Sequence, residues 1–530
     1  MSSTTHHATL TDPSIITAPL PATMDSYYGL SWRQDEGDFG ELEDLRPVWT
    51  VEPDVEVITK IARCKLDVPA ASQCTVEFLA QGAFNKVYTI QCDDNKEYIM
   101  RITLPVHPRL KTMSDCATAQ YVRHHTDIPA PRVLHYNALR NDELGFEWMI
   151  QGRVPGTSLK TQWHQMSWLE KELVVRKVIG YLTQLFRKRF SRMGNIYDTR
   201  DLQKLSEQDL PDAILLSADH STSDTAFSMS EIVSIPFFYN DHGSVDVERG
   251  PYKRSHEWLA AQLQFALHDA DNVPVETGLK DESSNNGDVS GLFPSKDDNS
   301  QLQKDSEDDW CDTDSEISDI DFSDTNTNTT KSINAEDSSD AVLDSDSECS
   351  EPDTDSPAAI KTRIARLQAV LPKVFPLTDK DTFILHHQDL SSNNIMLSAT
   401  HSLNGIIDWE CVHTTPLWLA CQIPKFLRGS YRDEPPIRDD EFEDEWYEKA
   451  YYDDLEDYEK TQLREFFLEE MQRVCPEWME VFNESGLKAD FECAVSFVAE
   501  QGAGADIDEW IAAVEEGTEP IELRKELGQC

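Results

Sequence analysis

Alternating apolar and polar residues predict a small antiparallel sheet early in the chain. Three segments, residues 75–79, 86–91 and 97–102, alternate with the period of a half-buried strand. Residues 80–85 and the turn-rich residues 93–96 join them. A further strand is predicted at Trp148–Ile150. Because the first three segments follow one another so closely, we expect them to pair as antiparallel neighbours.

Beyond these strands, apolar residues recur at helical spacing. The pattern predicts a short helix over Asp115–Arg123, which ends before the proline-rich segment Ile128–Pro131. A longer helix is predicted over Trp168–Arg187, and residues 463–479 and 491–514 also have helical patterning. The apolar stripe of the longer helix contains Leu169, Leu173, Val174, Val178, Ile179, Leu182, Leu185 and Phe186. The chain therefore places a small sheet before its helices.

The charge of the chain is concentrated in one tract. The 530 residues include 98 Asp and Glu against 47 Lys and Arg, which gives a net charge of −51. Between Asp271 and Ser356 there are 26 acidic residues and 4 lysines, or −22, and the few apolar residues there show no period. Such a segment cannot bury enough apolar surface to fold, so disorder is predicted. The excess of acid also argues against a nucleic-acid partner.

The cysteine and terminal patterns suggest a compartment. The 11 cysteines form no C-x-x-C pair, which is typical of buried thiols in a reducing compartment. Residues 1–24 lack an apolar run long enough for a signal or membrane helix, so we expect a cytoplasmic protein with no membrane partner, and a nuclear location is also compatible. The acidic tract predicts a regulatory Ser/Thr kinase as a partner, because several hydroxyl residues have an acidic residue three positions on: Ser306, Thr313, Ser318, Ser345 and Ser350.

The strongest chemical signal is a pair of polar loops. His387, Asp389 and Asn394 form an H-x-D-x-x-x-x-N pattern between two apolar segments, and Asp408 ends the next apolar strand. Phosphoryl transfer needs a carboxylate near the attacking hydroxyl and hard oxygen ligands for Mg²⁺. The two loops contain those groups. The alternative interpretation is a hairpin with an Asx turn and no catalysis.

These loops resemble the catalytic and metal loops of the aminoglycoside phosphotransferase (APH) family of kinase-like small-molecule phosphotransferases, in particular its fungal branch. The resemblance spans roughly residues 45–515 and includes six further segments in the same order: Leu45–Trp49, Gln81–Tyr88, Ile128–Val133, Val154–Leu159, Arg249–Tyr252 and Thr415–Leu419. It implies an α+β, protein-kinase-like two-lobed fold with a small antiparallel β N-lobe, a mainly helical C-lobe and a long disordered acidic insertion.

The resemblance also implies domain boundaries. They are a flexible N-terminus at 1–40, an N-lobe at 41–155, the first part of the C-lobe at 156–270, the insertion at 271–356, the second part of the C-lobe with both loops at 357–520, and a tail at 521–530. On this division the insertion interrupts the C-lobe.

Roles for individual residues follow from the same resemblance. Asp389 matches the catalytic base, and His387 is grouped with it as the structural histidine of the catalytic loop. Asn394 and Asp408 match the Mg²⁺ ligands. The implied ATP-binding residues are Gly82, Ala83, Phe84 and Asn85 in the loop over the phosphates, Arg101 where protein kinases have a lysine, and Asp115 as the partner of Arg101.

The function implied is an ATP- and Mg²⁺-dependent phosphotransferase that acts on a hydroxyl of a small molecule, which the sequence does not identify. Two alternatives stay open. One is a non-catalytic pseudokinase or scaffold. The other is a Ser/Thr protein kinase, against which stand the absence of an A-P-E sequence and the replacement of D-F-G by Asp408-Trp409-Glu410.

Overall fold

The computed structural model describes residues 27–33, 45–93, 96–204, 214–215, 227–272, 356–438 and 445–528. Residues 273–355 lie outside this part of the chain, so the prediction of disorder and the serines and threonines proposed for regulation fall outside the described residues. Within the described residues, no helix has both the length and the apolar character that crossing a bilayer requires.

The N-lobe is built around a five-stranded antiparallel sheet. Its elements are β1 (Leu30–Arg33), β2 (Arg46–Trp49), α1 (Val55–Lys65), β3 (Cys74–Gln81), β4 (Asn85–Cys92), β5 (Glu97–Thr103), α2 (Leu110–His125), β6 (Val133–Asn137) and β7 (Glu147–Gly152). The strand order is β3-β4-β5-β7-β6, and every neighbouring pair is antiparallel. The four predicted strands are confirmed as β3, β4, β5 and β7. Alternate residues of β5 and β7, such as Met100, Ile102 and Trp148, are buried against α1 and form the core of this lobe.

The predicted bounds of two N-lobe segments were wrong. Residues 30–33 are not part of a flexible terminus, because β1 pairs with β2 and Leu30 is buried. The helix predicted from Asp115 begins earlier, at Leu110. Nearly all side chains of its first turns are buried, polar ones included, so this part of α2 lacks the exposed face from which an amphipathic helix is recognised.

The C-lobe is mainly helical, with short strands beside the predicted loops. Its elements are β8 (Thr157–Ser158), α3 (Leu159–Gln162), α4 (Trp168–Phe186), β9 (Asn195–Asp198), α5 (Thr199–Lys204), β10 (Ile214–Leu215), β11 (Phe227–Ser230), α6 (Ile235–Phe238), α7 (Ser255–Asn272), α8 (Pro357–Val374), β12 (Phe383–Leu385), β13 (Ile395–Leu397), β14 (Leu403–Ile406), β15 (Thr414–Pro416), α9 (Leu417–Ala420), α10 (Glu445–Val474), α11 (Pro476–Glu484), α12 (Gly486–Ser496), α13 (Gly504–Glu516) and α14 (Leu523–Glu526). Three antiparallel sheets join the short strands, in the orders β14-β13-β8, β12-β15 and β10-β11-β9. The α+β, kinase-like two-lobed fold is confirmed.

The apolar stripe predicted for α4 is correct only in part. Val174, Val178 and Leu185 are buried in the C-lobe core. Leu169 and Leu173, however, are 60% and 52% exposed. These two leucines lie one turn apart on the solvent face, because the buried face is set by the positions of Val174 and Val178.

Two domain boundaries also change. Residues 521–530 are not simply a tail, since Leu523 of α14 is fully buried and Arg524 Nε lies 2.9 Å from Asp490 Oδ1. Asp271, assigned to the insertion, belongs to α7 and forms an ion pair of 2.8 Å with Lys361 of α8. The two helices that flank residues 273–355 therefore pack side by side.

Candidate active site

The peptide of Ile407 ties the two polar loops together. β13 and β14 pair through Ile395 and Ile406, which brings the end of one loop beside the end of the other. Ile407 then donates its backbone N–H to the carbonyl of Asn394 at 2.9 Å, and His387 Nε2 donates to the carbonyl of Ile407, also at 2.9 Å. Asp408 follows directly, so its carboxylate is positioned next to the catalytic loop.

His387 contacts the loop that follows β14 from the buried side. Its side chain is buried, the edge of its ring meets Trp409 with 4.7 Å between centroids, and burial lowers its pKa, so the imidazole is neutral. Its hydrogen bond goes to a backbone carbonyl and not to the carboxylate of Asp389. This contact links the two loops and agrees with the expected structural histidine, while the grouping of His387 with the catalytic residues stays a prediction.

Asp389 and Asn394 form a local pair at the mouth of the site. Asn394 Nδ2 donates to Asp389 Oδ2 at 2.6 Å and to the Asp389 carbonyl at 2.9 Å. Because the amide nitrogen is used in this way, the amide oxygen of Asn394 is left to act as a ligand. Asp389 remains 40% exposed, and its other oxygen, Oδ1, lies 3.0 Å from the ammonium of Lys425.

Asp408 carries a carboxylate in an electronegative setting. Its φ of +62° is left-handed, a conformation that Asp tolerates better than most residues and that is common at functional sites. Burial and the neighbouring Glu410 carboxylate raise the pKa of Asp408 to about 7, against the opposing effect of Arg101, whose Nη1 is 3.3 Å away. The Asp408 carboxylate and the amide oxygen of Asn394 are hard oxygen donors, which fit Mg²⁺.

The Glu410 carboxylate binds two cations and one side-chain amide that face this cleft. Its Oε2 atom accepts hydrogen bonds from Arg101 Nη2 at 2.6 Å, Lys111 Nζ at 2.6 Å and Asn85 Nδ2 at 2.7 Å. Burial alone would raise the pKa of Glu410, but Lys111 and Arg101 outweigh burial and lower the pKa to about 2. The three donors come from β4, β5 and α2, so one carboxylate links three elements of the N-lobe to the metal loop.

The predicted pairing of Asp115 with Arg101 was wrong. Asp115 Oδ2 lies 3.0 Å from Lys111 Nζ, and its Oδ1 accepts the backbone N–H of Cys411 at 2.9 Å. Lys111 precedes Asp115 by one helical turn on the same buried face of α2, which brings the two side chains together. Sequence reasoning missed both Lys111 and Glu410. The i,i+4 spacing of Lys111 and Asp115 was a signal that could have revealed the first.

The loop predicted to cover the nucleotide phosphates, residues 82–85, is a tight turn whose side chains have different surroundings. Gly82 N–H bonds the Asn85 carbonyl at 2.9 Å, and Ala83 at the tip is exposed. Phe84 is buried and packs edge-on against Phe238, with 5.3 Å between centroids, and its ring centroid lies 5.9 Å from the ammonium of Lys111. Asn85 is the loop residue that reaches the site, through Glu410.

The cleft between the lobes is narrow. A cavity of about 10 Å³ lies between β5, β7, α2 and the metal loop. Arg101, Met149, Gln151, Asp408 and Trp409 contribute to its lining. A volume of that size corresponds to about one water molecule.

Comparison with known proteins agrees with this geometry. The sequence profile of the phosphotransferase enzyme family, APH, matches residues 249–419, which contain both polar loops. Over these residues the chain is similar to this family. The resemblance to this family that the sequence indicated, and the kinase-like phosphotransferase class, are thereby confirmed.

The curated relatives of this chain are distant. A subtelomeric hrmA-associated cluster protein of Aspergillus fumigatus is 27% identical over 203 residues, which are 38% of this chain and 37% of that protein. The altered inheritance of mitochondria protein 9 of Yarrowia lipolytica is 22% identical over 264 residues, covering 46% and 45% of the two chains. The matches thus span between about a third and a half of these curated relatives.

Solved structures also align with the chain. The gentamicin complex of APH(2")-IIa has 11% sequence identity and a TM-score of 0.37, with 91% of this chain and 96% of that chain covered. An ethanolamine kinase of Plasmodium vivax has 9% identity and a TM-score of 0.35, with coverages of 91% and 89%.

Proposed function

We propose that this protein is an ATP- and Mg²⁺-dependent phosphotransferase that transfers the γ-phosphoryl group to a hydroxyl of a small molecule. The observation that carries the proposal is the arrangement of Asp389, Asn394 and Asp408 on two loops joined through Ile407. It combines a solvent-accessible carboxylate with two oxygen ligands for a metal ion.

Asp389 is the proposed general base. Its exposed carboxylate can accept a hydrogen bond from an incoming hydroxyl while Asn394 restrains its orientation. As the hydroxyl oxygen bonds to the γ-phosphorus, its proton passes to Asp389. The bond between the γ-phosphorus and the bridging oxygen breaks, and its electron pair leaves with ADP.

Asn394 and Asp408 are the proposed magnesium ligands. When bound, the ion would neutralise charge on the nucleotide phosphates. Arg101 and Lys111 are suited to bind phosphate oxygens from the N-lobe side, because both are buried cations whose present acceptor is the Glu410 carboxylate. Nucleotide phosphates would compete with Glu410 for these donors.

Nucleotide binding by this mechanism requires the lobes to separate. The cavity between them is about 10 Å³, whereas ligand pockets are on the order of 300–1,000 Å³. Lobe motion of this kind is common in kinase-like enzymes. We infer that the bonds of Glu410 to Asn85, Arg101 and Lys111 are exchanged for bonds to the nucleotide as the cleft opens.

The remaining alternatives make different predictions. A protein kinase needs a segment between its metal loop and the following helix for binding a peptide. Here β15 begins only four residues after Glu410 and leads directly into α9, which favours a small acceptor. A pseudokinase would leave ATP unchanged.

The cellular setting is also a proposal. We place the protein in the cytoplasm on the sequence pattern, with no nucleic-acid partner and with a regulatory Ser/Thr kinase acting on residues 273–355. The names of some distant relatives, which call those proteins mitochondrial, support a mitochondrial location as the alternative. Fluorescent tagging of the chain at its C-terminus distinguishes the two compartments.

The test is a screen of a metabolite pool with Mg·ATP, read by mass spectrometry and by ADP formation. The wild type is expected to form ADP and a phosphorylated metabolite. Asp389→Asn preserves side-chain size and the partner of Asn394 but removes the base, so it should lower the rate by about 10²–10⁴-fold. Equal products from the two proteins, with no ADP above background, would refute catalysis. Labelled protein substrates in place of a labelled metabolite would favour the protein kinase.

A further inference from the structure

Lys425 lies beside the proposed base on a separate segment of the chain. It begins a single 3₁₀ turn, Lys425–Leu427, that follows Pro424. Phe426, in the middle of that turn, donates its backbone N–H to the carbonyl of Leu390 at 2.9 Å. Phe426 and Leu427 are both buried in the C-lobe core. The turn is thus anchored to the catalytic loop one residue after Asp389.

The segment after the turn is held from α10. The guanidinium of Arg464 donates to the carbonyls of Leu427 at 3.0 Å, Ser430 at 3.1 Å and Gly429 at 3.2 Å. Three bonds from one planar group restrain the backbone on the far side of the turn. Lys425 therefore precedes a segment that is held to both the catalytic loop and α10, and restraint of this kind supports precise site residues.

The Lys425 side chain meets Asp389 from the side opposite to Asn394. Its ammonium is 3.0 Å from Asp389 Oδ1, whereas Asn394 donates to Oδ2. The side chains of Lys425 and Asp389 are 46% and 40% exposed, although the Asp389 Oδ1 atom itself is buried and has no hydrogen-bond partner among the described residues. The other two cations described above, Arg101 and Lys111, lie on the N-lobe side and are bound to Glu410.

We propose that Lys425 is a catalytic residue that contacts the phosphoryl group during its transfer to the acceptor. This inference rests on the proposed function. The acceptor hydroxyl must reach Asp389, and its oxygen is the atom that bonds to phosphorus, so an ammonium 3.0 Å from Asp389 Oδ1 lies within reach of the equatorial phosphoryl oxygens. Donors aimed at charge that spreads in the transition state lower the barrier.

A lysine suits this position chemically. Its ammonium has three donors on a flexible stem, so it can stay paired with Asp389 and donate a hydrogen bond to a phosphoryl oxygen. The step itself is unchanged: the acceptor proton goes to Asp389, the new P–O bond forms, and ADP leaves with the electron pair. Lys425 keeps its proton throughout.

The experiment compares the wild type with Lys425→Met, Lys425→Arg and a matched control, Lys361→Met. Lys361 is 40% exposed and pairs with Asp271 at 2.8 Å, far in sequence from the two loops. ADP formation from Mg·ATP is measured with the metabolite pool, and calorimetry measures binding of Mg·ADP with and without aluminium fluoride, which mimics the transferring phosphoryl group.

Lys425→Met is expected to lower kcat by about 10²-fold or more, with the KM for Mg·ATP within about threefold of the wild type. It should also lose the tighter binding that aluminium fluoride confers on Mg·ADP, whereas Lys361→Met keeps both properties. Partial recovery by Lys425→Arg would support a role for the positive charge.

Three outcomes overturn the proposal. If Lys425→Met keeps kcat within about twofold of an active wild type, Lys425 is not catalytic. If only the KM changes, it contributes uniform binding and not transition-state stabilisation. If the wild type forms no more ADP than Asp408→Asn, the proposed function itself fails and the inference falls with it. Equal unfolding midpoints of all variants show that loss of activity is not loss of folding.

Discussion

Replacing Lys111 by methionine tests how the site is held together. The Lys111 side chain is fully buried, and its ammonium lies 3.0 Å from Asp115 Oδ2 and 2.6 Å from Glu410 Oε2. Burial alone would lower the pKa of Lys111, but Asp115 and Glu410 outweigh burial and raise the pKa, so the side chain stays charged. Methionine has a similar shape and no charge, so the substitution leaves two carboxylates without this partner.

The expected loss of stability follows from the distances. With an effective dielectric constant of about 20, the two contacts correspond to attractions of about 5.5 and about 6.4 kcal/mol. The cost of removing three ions from water offsets most of this sum, at several kcal/mol per ion. Glu410 keeps Arg101 and Asn85, whereas Asp115 keeps only a backbone donor among the hydrogen bonds described above. Breaking a buried pair in this way costs about 3–5 kcal/mol, and we expect Lys111→Met to fall in that range.

Urea unfolding monitored by tryptophan fluorescence measures the loss. A second variant, Lys111→Met combined with Asp115→Asn, removes the uncompensated charge but keeps an acceptor for the Cys411 N–H, so it should regain at least about 1 kcal/mol relative to the single variant. Lys60→Met is the control, because Lys60 forms an ion pair of 2.6 Å with Glu143 in which both side chains are 66% exposed. Its cost should be below about 1 kcal/mol.

The reasoning would be refuted by a loss of less than about 1 kcal/mol in Lys111→Met. It would also fail if the effects of the Lys111 and Asp115 substitutions were simply additive, since residues in contact should show coupling.

Three further predictions concern the fold. Gly156 has a φ of +117°, and a Cβ there would lie 2.0 Å from the Leu397 carbonyl oxygen, so Gly156→Ala should destabilise the fold by more than about 2 kcal/mol in urea unfolding. Gly180→Ala in α4, where a Cβ meets nothing within 4 Å, should stabilise it by roughly 0.5–1 kcal/mol in the same assay. Burial lowers the pKa of His413 to about 4, so the folded state resists protonation of this side chain. The free energy of unfolding should therefore fall, by up to about 3 kcal/mol, as the pH drops from about 6.5 towards 4. His413→Gln should make the urea midpoint depend less on pH, and an unchanged dependence would contradict the lowered pKa of His413. Replacing residues 273–355 by a Gly/Ser linker of about ten residues should preserve the unfolding midpoint and Mg·ATP binding measured by calorimetry, because α7 and α8 already pack side by side, and failure to fold would show that the tract contributes to the core.

Local patterns in the chain were enough to predict the elements that position the site. The strands β3, β4, β5 and β7 and the helix α4 were found because alternation and helical spacing are properties of a few consecutive residues. The two polar loops were recognised for the same reason, since Asp389, Asn394 and Asp408 lie within a single hairpin region of the sequence. Their roles in catalysis remain predictions.

The partners of the charged residues could not be read in this way. Lys111 and Glu410 are 299 positions apart, and Arg101 and Glu410 are 309 apart. Their contact depends on how the N-lobe closes on the C-lobe. The resemblance suggested Asp115 as the partner of Arg101. In the structure Asp115 pairs with Lys111 of the same helix, and Arg101 pairs with Glu410.

The sequence by itself therefore indicated the resemblance to the APH family, the two-lobed α+β order and the polar residues of the two loops, because these depend on residue type and short spacing. Only the tertiary structure decided which cation meets which carboxylate, that His387 supports the backbone, and that Lys425 stands beside Asp389. The physical reason is that a buried charge is stabilised by whichever opposite charge packing brings within about 3 Å, and packing joins segments that are distant along the chain.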